Sequence, residues 1–369
     1  MELKKRHMLA PALMLTMGSA SIITAYLIIR WIHLYIPWFP GILFWPFWVF
    51  PPIAFAVAGL LPRGKFKSWC RRIGEGWFGL CLYPLMLTSL AVAIAILCRI
   101  FGGKLPLAPT GWVILLICAG LYPLGMPRAT KPRITRYRIR VKGLKEPLRI
   151  ALISDLHLGF FTPEYTPGRI RDMVNSLKPD MVLVAGDTFD EDIAGLKNPA
   201  AAAEALAGME STYGTFACDG NHDRIAPGPE MEDFFRQAKF RMLRDEHLCL
   251  EHITLLGRLD YRGNRLDIKT LMQDVPRHNP IVVLDHNPRE NRKVLNAGAS
   301  VVVSGHTHNG QTFPGNLLTG SFPWNTYGCV AECGGHTVVT SGAGVWGFPM
   351  RIGTFSEVVC LELYPTGKE

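Results

Sequence analysis

The sequence predicts an α/β domain of layered sheet and helices, preceded by a transmembrane region of four helices. Three observations point there: four long uncharged apolar stretches before residue 130, short β-branched runs alternating with helix-like stretches after residue 148, and a charge split between the two halves. The chain has 369 residues, 49% of them hydrophobic and 19% charged, with a formal net charge of +9. Residues 1–147 hold 19 Lys/Arg against Glu2, Glu75 and Glu146, a balance of +16. Residues 148–369 hold 20 basic and 27 acidic residues, a balance of −7. So apolar a composition excludes a disordered chain. The basic excess lies wholly in the apolar half, so it reads as membrane-facing, and no nucleic-acid partner is expected.

The four stretches run from Ala10 to Ile29, Gly41 to Leu61, Trp77 to Cys98 and about Gly111 to Met126. Three approach the roughly 20 residues that a spanning helix needs. None contains Asp, Glu, Lys, Arg or His, and Trp31, Tyr35, Trp38, Trp77, Trp112 and Tyr122 gather near their ends as an interfacial belt would. The second run holds Pro46, Pro51 and Pro52 and is expected to kink. Lys4, Lys5 and Arg6 before the first run also suit a signal peptide, but the run continues past Ala20 without a cleavage box and reads as a helix.

Loop charge sets the orientation. Lys4, Lys5 and Arg6, then Arg63, Lys65, Lys67, Arg71 and Arg72, then Arg128, Lys131, Arg133, Arg136, Arg138 and Arg140 all fall on one side; Arg30, Arg99 and Lys104 fall on the other. With four spans, the N-terminus and the C-terminal half share the cytoplasmic side. The expected division is a transmembrane anchor over residues 1–127, a basic juxtamembrane linker over 128–147 lying on anionic headgroups, and a catalytic domain over 148–369. The nine cysteines have no paired spacing; Cys329 and Cys333 lack a matching second pair, which weakens a structural zinc reading.

In the second half the expected strands are Leu148 to Ser154, Met181 to Ala185, Thr215 to Cys218, Ile281 to Leu284 and Ser300 to Val303. Between them lie helices over 167–177, 199–209, 229–238 and 288–296, each opening with a proline suited to a first helical turn. Unbroken apolar strands alternating with helices indicate a buried sheet. The stretch 240–259 looks like paired strands, and so does His336 to Ser341 with Glu357 to Leu363.

Each of the five strands ends in residues of metal-ligand type. They are Asp155-Leu156-His157, Gly186-Asp187-Thr188-Phe189-Asp190, Gly220-Asn221-His222-Asp223, Asp285-His286-Asn287 and Gly305-His306-Thr307-His308. Positions i and i+2 of an extended segment point to one side, so Asp155 and His157 can converge. In open α/β sheets such strand ends line the ligand crevice. Asp, His and Asn donors suit Mn, Fe, Zn or Mg, and a carboxylate-bridged pair of cations clamps the attacking and leaving oxygens of a phosphate ester. Gly186, Gly220 and Gly305 stand where sharp turns and close backbone approach are needed. His7, His33, His247, His252, His278 and His336 read as ordinary solvated or hydrogen-bonded histidines. Asp190 either supports a ligand from behind or caps a turn, and Asp285 reads as structural rather than ligating. Phe160, Phe161, Trp324, Trp346 and Phe348 line a lipid or base pocket, or else are core or membrane-contact residues.

These five blocks resemble the calcineurin-like metallophosphoesterase superfamily, whose blocks have the form D-x-H, G-D-x-x-D, G-N-H-D, a lone H and G-H-x-H. The run Gly305 to Gln311, the following Phe313-Pro314 and the late Gly347-Phe348-Pro349-Met350-Arg351 look like its branch of bacterial integral-membrane phosphoesterases. The resemblance covers about 160 residues. It implies a layered β-sandwich flanked by helices, carrying a dinuclear centre. By the same resemblance, Asp155, His157, Asp187 and His308 hold one ion, and Asn221, His286 and His306 complete the second, with Asp187 bridging. His222 matches a non-ligand histidine that contacts the phosphoryl oxygen or protonates the leaving group, with Asp223 orienting it. Asn309, where many members have Gly, and Asp219 depart from the pattern away from ligand positions.

The expected function is a membrane-anchored, metal-dependent phosphoesterase that cleaves a phosphodiester or pyrophosphate bond with two divalent ions, manganese among the candidates. Its expected location is the bacterial inner (plasma) membrane, with the catalytic domain cytoplasmic. A silent phosphoesterase-fold scaffold is disfavoured because every ligand position is filled. A regulatory domain of a transporter is disfavoured because the four runs carry no ionisable group. Anchoring beside headgroups favours a lipid-linked phosphate. The superfamily includes enzymes that hydrolyse UDP-2,3-diacylglucosamine, which makes a nucleotide-linked lipid the sharpest expectation; cyclic nucleotides, generic phosphodiesters and phosphoproteins stay open.

Overall fold

The computed structural model describes residues 2–61, 64–190, 193–225, 227–261 and 263–366, with backbone alone for residues 2–17 and 65. Arg63 and residues 367–369 lie outside the described residues, as do the side chains of Lys4, Lys5, Arg6, His7 and Lys65. The chain divides into two compact units, Met1–Leu124 and Gly125–Glu369.

The first unit is helical: α1 (Glu2–His33), α2 (Trp45–Ala58), α3 (Lys65–Ile100) and most of α4 (Leu107–Thr130). Three described segments are long and apolar enough to cross a membrane, Gly41–Ala58, Phe66–Ile100 and Leu107–Thr130. The expected count was four. The remaining run, Ala10 to Ile29, lies in α1, and its first eight residues carry no described side chains. Close approach comes from small residues, as apolar helices without a hydrophobic drive between them require. A Cβ on Gly74 would lie 2.3 Å from Phe55 Cβ, and one on Gly111 would lie 2.1 Å from Trp31 Nε1. Trp48 and Trp77 meet edge to face at 5.5 Å. At 36 residues, α3 is about 54 Å long and exceeds a bilayer core of about 30 Å. Its first turns carry the Arg71–Glu75 ion pair ahead of the apolar run.

The second unit continues with β1 (Arg133–Val141), β2 (Leu148–Ile153), α5 (Thr166–Ser176), β3 (Met181–Ala185), α6 (Pro199–Ala207), β4 (Thr215–Cys218), α7 (Pro229–Gln237) and β5 (Phe240–Met242). Then come β6 (Glu246–Cys249), β7 (Thr254–Gly257), α8 (Ile268–Leu271), β8 (Ile281–Leu284), α9 (Asn291–Asn296), β9 (Val301–Ser304), α10 (Gly315–Gly320), β10 (Gly328–Glu332), β11 (Gly335–Val339) and β12 (Glu357–Pro365). Two six-stranded sheets form, in the orders β1-β12-β2-β3-β4-β5 and β10-β11-β9-β8-β7-β6. Their inner faces share one apolar layer, in which Ile150, Leu152 and Leu183 meet Leu255, Val282 and Val303. Ile170, Val174, Leu206, Phe234 and Phe235 from α5, α6 and α7 cover the outer face of the first sheet. Ile268, Leu271, Val294 and Leu295 from α8 and α9 cover the second. The result is the expected sandwich flanked by helices. Strands β3, β4, β8 and β9 are buried throughout, which is why they read as continuous apolar runs.

Three details depart from the sequence reading. The segment 128–147, expected as a linker on headgroups, contains β1, paired in parallel with β12 over residues 133–141. Ile139 and Val141 point inward, while Arg138 reaches Glu362 on β12 at 2.8 Å and so is a sheet-edge charge. The expected pairing of 336–341 with 357–363 does not form. Strand β11 joins β9 and β10, whereas β12 runs between β1 and β2 in the other sheet. The stretch 240–259 divides likewise, with β5 closing the first sheet and β6 and β7 forming an antiparallel pair in the second.

Beside β8 lies a buried ion network. Arg258 contacts Asp285 at 2.8 Å and Glu290 at 3.3 Å, and Arg265 contacts the same two acids at 3.3 and 2.6 Å. Removing one partner of a buried pair costs about 3–5 kcal/mol because the other charge stays behind. Arg258→Met should therefore lower stability by about 3 kcal/mol, the low end, since Arg265 remains. Denaturant unfolding of the detergent-solubilised chain measures it, and Arg258→Met with Asp285→Leu together should recover part of the loss.

Candidate metal centre

The centre is built at the C-terminal ends of five strands. Parallel neighbours β2 and β3 deliver Asp155 with His157, and Asp187; β4 delivers Asn221 with His222. Neighbours β8 and β9 of the other sheet deliver His286, and His306 with His308. To turn inward, the backbone takes left-handed conformations at Asp155, His157, Asp187, His306 and His308, with φ between 43° and 72°. Such conformations cost about 1–3 kcal/mol each in non-glycine residues and persist only where the surroundings over-determine them. Here the surroundings are backbone bonds: Asp155 N–H to Gly186 O, His157 N–H to Asp187 O and Gly305 N–H to His286 O, all between 2.9 and 3.1 Å. The motif glycines let the loops interlock. A Cβ on Gly220 would lie 2.1 Å from Asp187 Oδ1, and one on Gly305 would lie 2.2 Å from Asp155 Oδ2.

Seven predicted ligand residues converge. Asp155, His157 and His308 form one group of mutually close donor atoms, and Asp187, His286 and His306 form another. His157 Nε2 lies 3.0 Å from His308 Nε2 and 3.8 Å from Asp187 Oδ2. His308 Nε2 lies 3.5 Å from Asp155 Oδ1. His286 Nε2 lies 3.2 Å from Asp187 Oδ2 and 3.1 Å from Asn221 Oδ1. His286 Nδ1 donates to Ala185 O at 2.7 Å, which leaves Nε2 as the ligating nitrogen. Asp187 thus stands between the two groups. Two imidazole nitrogens facing each other beside buried carboxylates form a cage that a cation satisfies, and the N/O donor set suits a first-row divalent ion or Mg.

Residues 148–310 match the calcineurin-like phosphoesterase family. They are a calcineurin-like phosphoesterase domain. A transmembrane protein with metallophosphoesterase domain from Danio rerio is 34% identical over 275 residues, spanning 68% of this chain and 61% of that protein. An uncharacterized metallophosphoesterase from Helicobacter pylori is 31% identical over 242 residues, spanning 64% and 65%. The UDP-2,3-diacylglucosamine pyrophosphatase LpxG of Chlamydia trachomatis is 24% identical over 226 residues, spanning 48% and 66%. The chain therefore covers a little under two thirds of each relative's length.

Charge in the phosphoesterase domain's centre is finely opposed. Burial pushes the Asp155 carboxyl up, against the pull of His286 and His157. Burial acts the same way on Asp187, but His286, His157 and His222 outweigh it and hold its pKa low. Burial disfavours protonated His157, yet Asp190, Asp187 and Asp155 carry its pKa upward. His308 is driven well below its ordinary value by burial and by His157. A bound cation would replace this shared-proton balance, since metal binding requires ionised carboxylates and neutral imidazoles.

His222 lies beside the ligands, its ring 4.8 Å from that of His157. Its backbone N–H donates to Asp187 Oδ1 at 2.7 Å, and its Nδ1 bonds the carbonyl oxygen of Asp190. The expectation that Asp223 orients His222 needs correction. The Asp223 carboxylate accepts from the backbone N–H groups of Gly220, Phe189 and Thr188 at 2.9–3.3 Å and so ties the second and third motif loops together. Burial and Asp187 push its pKa up to about 7. Asp190 takes the orienting place through its carbonyl, and its Oδ1 stands 3.5 Å from His157 Nδ1. Asp285 is structural, held by Arg258 and Arg265.

Two residues quoted within the motif runs, with no role assigned there, support the site. Arg351, fully buried, donates to His308 O at 3.0 Å and to Gly344 O at 2.9 Å. Gln311 brackets the Trp346 backbone, donating to its carbonyl at 2.9 Å and accepting from its N–H at 3.0 Å. Gln311 acts on main-chain atoms, and Arg351 on main-chain carbonyls and, at 3.3 Å, on His308 Nδ1; ligand spacing does not reveal these roles. Of the singled-out aromatics, Trp346 is half exposed with its ring 6.4 Å from His222, and Phe160 and Phe161 line a cavity of about 590 Å3 that begins at Leu158.

The interlocked glycines generate a direct test. Gly305→Ala would drive a methyl group into Asp155 Oδ2 and into Ser154 Oγ, 2.0 Å away. Metal content by elemental analysis should fall relative to the parent chain, with secondary structure by circular dichroism retained.

Proposed function

We propose that this chain is a membrane-anchored phosphoesterase that hydrolyses a phosphodiester or pyrophosphate bond with two divalent cations. The observation that carries the reading is the convergence of Asp155, His157, Asp187, Asn221, His286, His306 and His308 around Asp187. Asp155, His157, Asp187 and His308 hold one cation; Asp187, Asn221, His286 and His306 hold the other. When bound, such a pair supplies Lewis-acid stabilisation of phosphoryl charge and a nucleophilic water near neutral pH. Every other contribution comes from the chain. Asp190 O fixes His222 with its Nδ1 engaged, so Nε2 is the atom that exchanges a proton with the leaving-group oxygen. Trp346 borders His222, its ring 6.4 Å away.

The substrate proposed is lipid-linked. Apolar helices long enough to span a membrane and the acidic balance of residues 148–369 support a lipid phosphoester over a nucleic acid. Similarity to a UDP-2,3-diacylglucosamine pyrophosphatase makes that nucleotide-linked lipid the first compound to assay. The division proposed is an anchor over residues 1–127 and a catalytic domain from 148, to which β1 adds an edge strand. The bias of fourteen basic residues against three supports an orientation with the N-terminus and the catalytic domain on the cytoplasmic face of a bacterial plasma membrane.

Purified protein supplied with Mn should turn over the lipid pyrophosphate and a nitrophenyl phosphodiester, with two ions per chain. General acid help is worth about 10²–10⁴-fold. His222→Ala should lose turnover in that range while both ions stay bound, and lose less on the nitrophenyl ester, whose leaving group needs no proton. Equal losses on both esters point instead to charge stabilisation of the phosphoryl oxygens, and loss of an ion makes His222 a ligand. For orientation, Gly103→Cys should react with an impermeant thiol reagent in intact cells, and Ser68→Cys and Ala200→Cys should not; labelling at 200 reverses the topology.

A further inference from the structure

Residues 309–331 contain no Asp, Glu, Lys, Arg or His, although they lie in the half of the chain that carries 47 charged residues. Within them Phe313, Leu317, Leu318 and Phe322 are exposed, the two leucines by 61% and 67%. Helix α10, which carries both leucines, has no buried residue, so they contribute nothing to the core. Contiguous exposed apolar side chains of this kind mark a contact surface.

The segment is firmly held. Phe313 N–H donates to Ile352 O at 2.8 Å, Gly315 N–H donates to Thr312 O at 2.6 Å, and Phe322 stacks on Trp324 at 4.8 Å. At one end it adjoins the point where the chain leaves α4. Ile352, which anchors Phe313, packs on Gly125, where a Cβ would lie 2.9 Å from Ile352 Cδ1. Arg351 N–H and Ser356 N–H bond Gly125 O and Arg128 O in the last turns of α4. Arg128 and Arg133 flank this place, their guanidiniums 5.0 and 4.4 Å from the Phe355 ring. At the other end, Gln311 grips Trp346, the aromatic neighbour of His222. Apolar side chains flanked by arginines, next to the end of a helix apolar enough to span, suit an anionic bilayer surface.

We propose that residues 313–322 dip into the acyl region of an anionic leaflet and guide an acyl-bearing phosphoester from it towards Trp346 and the metal centre. This rests on the reading of the chain as a membrane-anchored phosphoesterase.

The full chain is reconstituted in phosphatidylcholine–phosphatidylglycerol vesicles whose acyl chains carry nitroxide quenchers. A fluorophore is placed at Leu318→Cys, with the labelled parent chain as background. Leu116→Cys, in α4, is the control for lipid contact, and Glu230→Cys, exposed on α7, the control for water. Quenching at 318 comparable with that at 116 supports the proposal. Quenching no greater than at 230 overturns it, as does a 318 label shielded from water but unquenched, which means a protein covers the surface. If 116 itself is unquenched, the anchor reading fails and the proposal falls with it. Burying a leucine is worth about a tenfold change or more. Leu317→Ser with Leu318→Ser should therefore lower the ratio of turnover on a bilayer-borne ester to turnover on soluble nitrophenyl phosphodiester by at least about tenfold; an unchanged ratio overturns the guiding role. If the parent cleaves neither ester, the phosphoesterase reading fails alone, and the quenching still decides the lipid contact.

Discussion

Two carboxylates buried within one site govern the architecture of the catalytic half. Asp155 and Asp187 are almost fully removed from water, and the histidines around them are nearly as deep. An isolated buried carboxylate costs far more than any single packing contact returns. The site is therefore stable only as a set: imidazoles share protons with the acids, or cations take the protons' place. The pKa shifts, downward at Asp187 and upward at His157 and His286, express that interdependence. The same constraint fixes the backbone. Donors from five strands reach one point only if the chain turns sharply after each strand, which is why five ligand residues adopt left-handed conformations and why glycines stand where one loop crosses another.

Holding that strain requires a rigid frame. The shared apolar layer between the sheets fixes where the strand ends lie, and buried polar groups fix the loops. Asp223 bonds three backbone N–H groups across two motif loops. Arg351 is a different device: a buried guanidinium bound to main-chain carbonyls, its pKa lowered by burial to about 10. Its positive charge lies behind His308 and opposes protonation of that imidazole. Keeping His308 neutral keeps a lone pair available for a cation, so one side chain serves both geometry and electrostatics.

How much of this was legible in the sequence follows from what each residue touches. Strands β2, β3, β4, β8 and β9 were visible because burial on both faces leaves short, largely apolar runs, and the ligands were visible because five such runs each end in a donor motif. Strand β1 was hidden because its outward positions are arginines, and a basic run after an apolar helix has a ready electrostatic explanation; of its inward positions only Ile139 and Val141 are fully buried, Thr135 and Tyr137 being polar-tipped and half-buried. Partnership was hidden where it is set by topology: β11 and β12 have similar patterns, yet the chain between them crosses from one sheet to the other. Asp223 was misread because sequence adjacency to His222 suggested a contact that the turn redirects to the backbone. Asp190 stood in its motif as a residue that supports a ligand or caps a turn; its carbonyl's hold on His222, like the roles of Gln311 and Arg351, leaves no spacing signature.

The link between α4 and the catalytic half bears on which substrates such a chain can serve. Helix α4 ends at Thr130 and β1 begins at Arg133, so only two residues separate a helix apolar enough to span from a strand paired along nine residues of β12. A long flexible linker would let a tethered domain sweep a large volume, with an effective concentration that falls as its length grows. Here only Lys131 and Pro132 separate α4 from β1. If α4 spans, the catalytic half is confined near the leaflet, where a soluble ester gains nothing from the confinement. An ester embedded in the same leaflet gains the full effect of shared location. A short tether, more than an anchor alone, is what the bilayer-borne substrate proposed for the centre around Asp187 calls for.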